Sequence, residues 1–189
     1  KCLMSLLDGD SNLYSEKGEV IFKDNAISGI AIFNASFYLN KYKVNNPFIS
    51  LDLFPTLSEN ELINFLLNKP NKDVNSFFVG ITNKSISQYL IKRLNLKDTL
   101  TIKDIKLIAY ELKNLKFKVK GLVDTPQVAK GGININEVNS NLELKKYKNI
   151  YIGGECLDID AKCGGYNLHF AFSSALTIYN DLVNKLCLK

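Results

Sequence analysis

The chain has 189 residues, 46% hydrophobic and 23% charged, which is enough to bury the core of one large domain or two small ones and excludes a disordered polyelectrolyte. Its net charge of +5 comes from scattered lysines, with Arg93 the single arginine, and the longest basic run, Lys145-Lys146-Tyr147-Lys148, is too short to read as a nucleic-acid stripe. No run of 18 apolar residues and no signal peptide are visible, so neither nucleic acid nor membrane is an expected partner and a cytoplasmic location is the expectation.

The opening Lys1-Cys2-Leu3-Met4-Ser5-Leu6 reads as the middle of a strand with no initiator methionine, as in a cut chain. Residues 1–55 read mainly as β structure. Leu3–Leu7 and Glu19–Phe22 are short apolar runs, and Asp8-Gly9-Asp10 punctuates the first as a turn. Within this stretch Ile30, Phe33, Phe37 and Tyr38 fall near helical spacing, so a short helix opens at Ser28-Gly29. Phe48–Phe54 alternates as a strand that Pro55 closes.

Residues 56–114 read as a helical block. Ser58 and Glu61 have capping-box spacing, and Leu62, Phe65 and Leu66 follow on one face. A second helix is expected from about Ser85 to Leu94. Thr101 caps a third, with Ile105, Ile108 and Leu112 on one face. These stripes read as packing surfaces without chemistry. Residues 115–133 return to β structure through Phe117, Val119 and Leu122. The paired glycines of Gln127-Val128-Ala129-Lys130-Gly131-Gly132-Ile133 allow either a simple loop or a close backbone approach.

The chemistry concentrates after Asn149. Asn149–Ile152 reads as a buried strand of a parallel sheet, followed by Gly153, Gly154 and Glu155. Ligands bind beyond the carboxyl ends of such strands; glycines admit the ligand, and an acid there accepts hydrogen bonds from a sugar-like hydroxyl. After Gly164-Gly165 the pattern turns helical through Leu168, Phe172, Leu176, Tyr179 and Val183. A helix starting there presents free N–H groups and its positive dipole end to an electron-rich ligand edge or a phosphate. Each glycine pair alone is a weak signal; ten residues apart they can address one ligand.

Tyr151-Ile152-Gly153-Gly154-Glu155-Cys156-Leu157-Asp158-Ile159-Asp160 followed by Gly164-Gly165-Tyr166-Asn167-Leu168 resembles the closing motif of the bacterial NAD(P)/FAD-dependent oxidoreductases. These are also called NAD(FAD)-utilising dehydrogenases, the aminoacetone oxidase family or BaiN-like flavoproteins. Gly18–Phe22 with Ile27-Ser28-Gly29, Leu51–Pro55 and Gln127–Ile133 match the family in order and rough spacing. The chain departs from it at Ala26, at Ala129-Lys130 and at Ala175, which touches the fine positioning of a cofactor rather than membership.

The resemblance implies an α+β multidomain architecture. A β-barrel-like inserted domain with a small helical subdomain would occupy residues 1–133, its β parts at 1–55 and 115–133 and its helical part at 56–114. Residues 134–189 would be the C-terminal segment of a Rossmann-like FAD-binding domain. The phosphate-cradling G-x-G-x-x-G is absent from this sequence, so the resemblance implies a partner segment, the N-terminal part of the same protein, and weak FAD binding without it. It makes Gly153, Gly154 and Glu155 cofactor-binding, with Glu155 at the ribityl or pyrophosphate region. Gly164, Gly165 and the N–H groups of Tyr166, Asn167 and Leu168 face the flavin's pyrimidine edge, and Gly131-Gly132 lie at the re-entry from the insert. The implied activity is hydride transfer between FAD, reduced by NAD(P)H, and a small organic substrate; a non-catalytic interaction module is the alternative. No catalytic acid or base is assigned. His169 reads as a packed or hydrogen-bonded residue and Asp158 and Asp160 as loop acids. Cys2, Cys156, Cys163 and Cys187 lack metal-ligand spacing and read as small, partly buried free thiols.

Overall fold

A computed structural model describes residues 1–123 and 130–187; Gln127, Val128 and Ala129 of the glycine-pair motif lie outside them. Two compact units emerge, Lys1–Lys120 and Gly121–Lys189.

The first unit is a four-stranded antiparallel sheet with helices on one face. Strands β1 (Cys2–Asp8), β2 (Ser11–Gly18), β5 (Pro47–Asp52) and β6 (Leu115–Lys118) take the order β2-β1-β5-β6, while β3 (Ile21–Phe22) and β4 (Ile27–Ser28) form a separate ribbon. The period-2 alternation puts Met4, Leu6, Ile49, Leu51 and Leu115 on one face, all buried. Helix α1 (Ile30–Lys41) contributes Ala31 and Ala35 to that core. Gly29 precedes it at φ 109, where a Cβ would come within 2.5 Å of Glu19 O, so only glycine fits this crossing.

Between β5 and β6 lie α2 (Glu59–Leu67), the single turn α3 (Val74–Phe77), α4 (Lys84–Arg93) and α5 (Ile102–Lys113). The Ser58–Glu61 capping box forms as read, and Thr101 forms a second one with Asp104. Leu62, Leu66, Leu90, Ile105, Ile108 and Leu112 are fully buried. Lys113 ties the end of α5 to the chain after β5: its Nζ lies 2.7 Å from Asp52 Oδ2 and donates to the carbonyls of Phe54 and Leu57.

The expected barrel-like closure is not what the described residues show. Their sheet is open, with β2 and β6 at its edges, because the helical block rather than a second sheet covers the apolar face. The sequence reading also lacked β2: Ser11–Gly18 is polar, half-exposed and held by pairing with β1.

The second unit has no named strand among its described residues. It consists of isolated bridges, two 3₁₀ turns (Ile135–Glu137 and Gly154–Cys156) and the 22-residue helix α6 (Tyr166–Cys187). Val138, Leu157 and Ser174 are its buried side chains among the described residues. Asn149–Ile152, read as a buried parallel strand, is here an antiparallel bridge of Tyr151 to Glu143, with Ile150 48% exposed. A parallel sheet needs strands paired side by side and covered on both faces, and the described residues of this unit offer this run only an antiparallel partner. One face of α6 packs on the Gly153-Gly154 turn. The other carries Leu168, Phe172, Leu176, Tyr179, Leu182 and Leu186, spaced to form one exposed apolar stripe.

Candidate functional site

The Gly153–Tyr166 segment is built around the first half of α6. Gly154 N donates to Ser174 Oγ at 2.8 Å, and that hydroxyl donates on to Ala171 O at 2.8 Å, so a buried serine supports the turn from below. Closeness demands the glycines. A Cβ on Gly153 would meet Ser174 Oγ at 3.0 Å and Ile178 Cδ1 at 3.1 Å, and Gly154, at φ 59, lies over Ala171. Ala171 is five residues into α6, so the turn sits about 7.5 Å along the axis from the helix start. Gly153 meets Ser174 and Ile178, farther along, so the turn lies against the middle of α6 and no hydrogen bond joins it to Gly164–Leu168 among the described residues.

The other glycine pair also approaches closely. A Cβ on Gly132 (φ 156) would stand 2.7 Å from Cys156 O and 2.8 Å from Leu157 C. Ile133 N donates to Cys156 O, and Asp158 N donates to Ile133 O, both at 2.8 Å. This parallel bridge of Ile133 to Leu157 fixes the segment after Glu155. Of the two readings of the glycine pair, the close approach is the one present at Gly132.

The start of α6 is open. Its first bonded amide is His169 N–H, donating to Gly165 O at 2.9 Å, so the N–H groups of Tyr166, Asn167 and Leu168 precede the hydrogen-bond ladder. Gly164 and Gly165 take φ 141 and 88, which turns the chain into the helix, and the Tyr166 ring lies over Gly164. Asn167 Oδ1 accepts from Ala161 N at 2.9 Å and holds the preceding loop. No residue within the first turn is acidic, so the positive end of the dipole is not neutralised there. Glu155 stands on the 3₁₀ turn with its side chain exposed and without a hydrogen bond among the described residues.

A polar clamp that the sequence did not signal orients this assembly. Tyr151 OH donates to Asp181 Oδ2 at 2.5 Å, and Lys185 Nζ reaches Glu143 Oε2 at 2.8 Å and Asp181 Oδ2 at 2.9 Å. Asn141 Nδ2 donates to Asp181 Oδ1. The Lys185 hydrogen bond holds the Glu143 carboxyl below its ordinary range, and the Tyr151 hydroxyl does the same for Asp181. Apart from the i,i+4 pair Asp181–Lys185, these contacts join residues 30 to 42 positions apart in sequence, beyond any local pattern.

Other candidates resolve less favourably. His169 is exposed rather than packed, because it points off the face of α6 that meets the glycine turn. Cys156 and Cys187 are exposed free thiols rather than partly buried ones; Cys2 is buried and Cys163 intermediate. Asp158 is exposed, as a loop acid would be. Among the described residues no three metal-ligating side chains cluster, and no helix is long and apolar enough to cross a membrane.

With this geometry in place, the comparisons fix the class. The profile of the family described as HI0933-like protein Rossmann domain matches residues 25–179, and the chain belongs to that family. The family resemblance read in the closing motif is thus established. Curated relatives include the 3-dehydro-bile acid delta(4,6)-reductase of Clostridium scindens, 26% identical over 185 residues, covering 90% of this chain and 45% of the relative. The ribosomal RNA dihydrouridine synthases of Escherichia coli and Haemophilus influenzae are each 26% identical, covering 87% and 83% of this chain and 42% and 40% of their own length. The chain therefore spans less than half the length of the curated relatives it matches.

Proposed function

We propose that the protein containing this chain is a flavin-dependent reductase of carbon–carbon double bonds conjugated to a carbonyl. The carrying observation is the open N-terminus of α6, the helix that also supports the Gly153-Gly154 turn through Ser174. The N–H groups of Tyr166, Asn167 and Leu168, without a hydrogen-bond partner among the described residues, and a first turn without an acid suit the pyrimidine edge of a flavin, where negative charge gathers on reduction. Gly153 and Gly154 let the turn close on α6, and Glu155, exposed on that turn, accepts hydrogen bonds from hydroxyls of the ribityl region. FAD is the form the family resemblance favours, with the adenine side held by sequence of the full-length protein outside this chain.

The substrate class follows from what the named relatives share. A 3-dehydro-bile acid with a delta(4,6) system and the uracil of RNA both present an alkene conjugated to a carbonyl. A flavin held there and reduced by NAD(P)H would supply hydride chemistry to such an alkene, with the balancing proton drawn from solvent. In this chain the α6 amides stabilise the electron-rich flavin edge, and the Tyr151–Asp181–Lys185–Glu143 clamp keeps α6 seated on the glycine turn.

The test is made on the full-length protein. It should purify with, or reconstitute to, a stoichiometric flavin spectrum and consume NAD(P)H with loss of the absorbance of a conjugated cyclic enone. A colourless protein that FAD cannot reconstitute would refute the reading.

A second reading, in which the conjugated carbonyl is a uracil within RNA, is favoured by the charge distribution. Residues 1–120 carry 17 Lys and Arg against 12 Asp and Glu, whereas residues 121–189 carry seven of each. The whole excess positive charge thus lies on the sheet-and-helix unit.

A further inference from the structure

We propose that the face of the four-stranded sheet opposite its helices, in residues 1–120, is a docking surface for single-stranded RNA; this rests on the second reading above. The strand register sorts the side chains. Opposite the apolar core face, Ser15, Ser5, Ser50 and Lys116 form one row across the four strands. Asn12, Leu7, Phe48 and Lys118 form the next, and Lys17, Leu3 and Asp52 the third. At a strand spacing of about 4.8 Å the rows are about 14 Å wide, the span of two or three nucleotides.

The chemistry of those rows fits a polyanion with exposed bases. Ser15, Lys17, Lys116 and Lys118 are exposed, and Ser5, Phe48 and Ser50 half-buried. None of the three lysines is ion-paired among the described residues, whereas the carboxylate of Asp52 is already held by Lys113. Lysines stand at both edges of the sheet, hydroxyl donors lie between them, and Phe48 offers a ring on which a base can stack. A shallow cavity of about 240 Å³ opens there, lined by Phe48 and Lys116 with Gly9, Asp10 and Asn46; Asp10 is the one carboxylate at its rim. An acidic peptide would instead add to the β6 edge through main-chain hydrogen bonds and would have little use for the hydroxyl row or the ring.

The experiment measures fluorescence anisotropy of a labelled single-stranded, uridine-containing RNA of about 20 nucleotides with the full-length, flavin-loaded protein across a KCl series. The triple variant Lys17→Gln, Lys116→Gln, Lys118→Gln should bind about tenfold or more weakly and flatten the slope of log K against log[KCl] by about 2, the value for three lost single-strand phosphate contacts. Phe48→Leu should weaken binding about threefold or more with the slope unchanged. Flavin content and enone reduction should stay at the parent level in both, which shows that the variants fold. The proposal is overturned if the parent protein does not bind the RNA, if the triple variant keeps the parent's affinity and slope, or if polyglutamate competes as well as unlabelled RNA. Loss of enone reduction in the parent with RNA binding intact counts against the proposed reaction and leaves the docking surface supported.

Discussion

Gly153 offers the sharpest test of how the candidate site is built. Its backbone lies at φ -140, ψ 170, extended geometry that any residue adopts, so Gly153→Ala introduces no backbone strain. What it introduces is a methyl group 3.0 Å from Ser174 Oγ and 3.1 Å from Ile178 Cδ1. Overpacking of this kind costs about 1–3 kcal/mol, and the lower entropy of an unfolded alanine offsets about 0.4–1 kcal/mol of it. The expected net loss is about 1–2 kcal/mol, read as a lower urea midpoint of the full-length protein at unchanged slope. Flavin occupancy should fall with it, because the methyl group pushes the turn off α6. Ile178→Val removes the Cδ1 atom and alone costs about 0.5–1.5 kcal/mol. In the double variant the clash with that atom is gone, so the two changes should be sub-additive by about 0.5 kcal/mol or more. Strict additivity, or a Gly153→Ala protein as stable and as yellow as its parent, would show that the turn does not rest on α6 as described.

Gly132→Ala should be more damaging to the site than Gly153→Ala. Its Cβ meets backbone atoms of Cys156, Leu157 and Asp158 that cannot step aside, so the Ile133–Leu157 bridge should open and full-length protein should retain little flavin absorbance. Lys185→Ala removes the centre of the Tyr151–Asp181–Glu143 clamp, but the lysine is 44% exposed, so only a small fall in the urea midpoint is expected. Acid should weaken the sheet-and-helix unit through its capping boxes. The Ser58 and Thr101 hydroxyls hold the carboxyls of Glu61 and Asp104 below their ordinary values of 4.5 and 3.8. Their contribution is therefore complete above about pH 5 and is lost as pH falls through the folded values. The pair Glu61→Gln and Asp104→Asn should flatten the fall in urea midpoint between about pH 5 and pH 3 without changing the flavin spectrum.

Local chemistry was legible and long-range pairing was not. Ser58 with Glu61, and Thr101 ahead of Ile105, announce helices because a cap satisfies its partners within three residues. The open start of α6 after Gly165 was readable for the same reason. Asp73 also caps a helix, but α3 is a single turn too short to show a period. β2 escaped because Ser11–Gly18 has little apolar alternation and is a strand by virtue of β1. Asn149–Ile152 erred in the opposite direction: an apolar run was read as a strand where this chain gives it only the bridge to Glu143. Ser174, which carries the glycine turn, and the Tyr151–Asp181–Lys185 clamp were invisible because their partners lie 20 to 34 residues away.

The stripe along α6 has a consequence at the bench. Phe172 and Leu186 are 71% and 72% exposed, and with Leu168, Leu176, Tyr179 and Leu182 they line one side of a helix about 33 Å long. An uncovered strip of that length is sticky in dilute buffer and attractive to chaperones. Preparations of residues 121–189 alone should therefore elute as concentration-dependent assemblies and need detergent or co-expression to stay clear. Polar substitutions at Phe172 and Leu176 should restore a monodisperse peak.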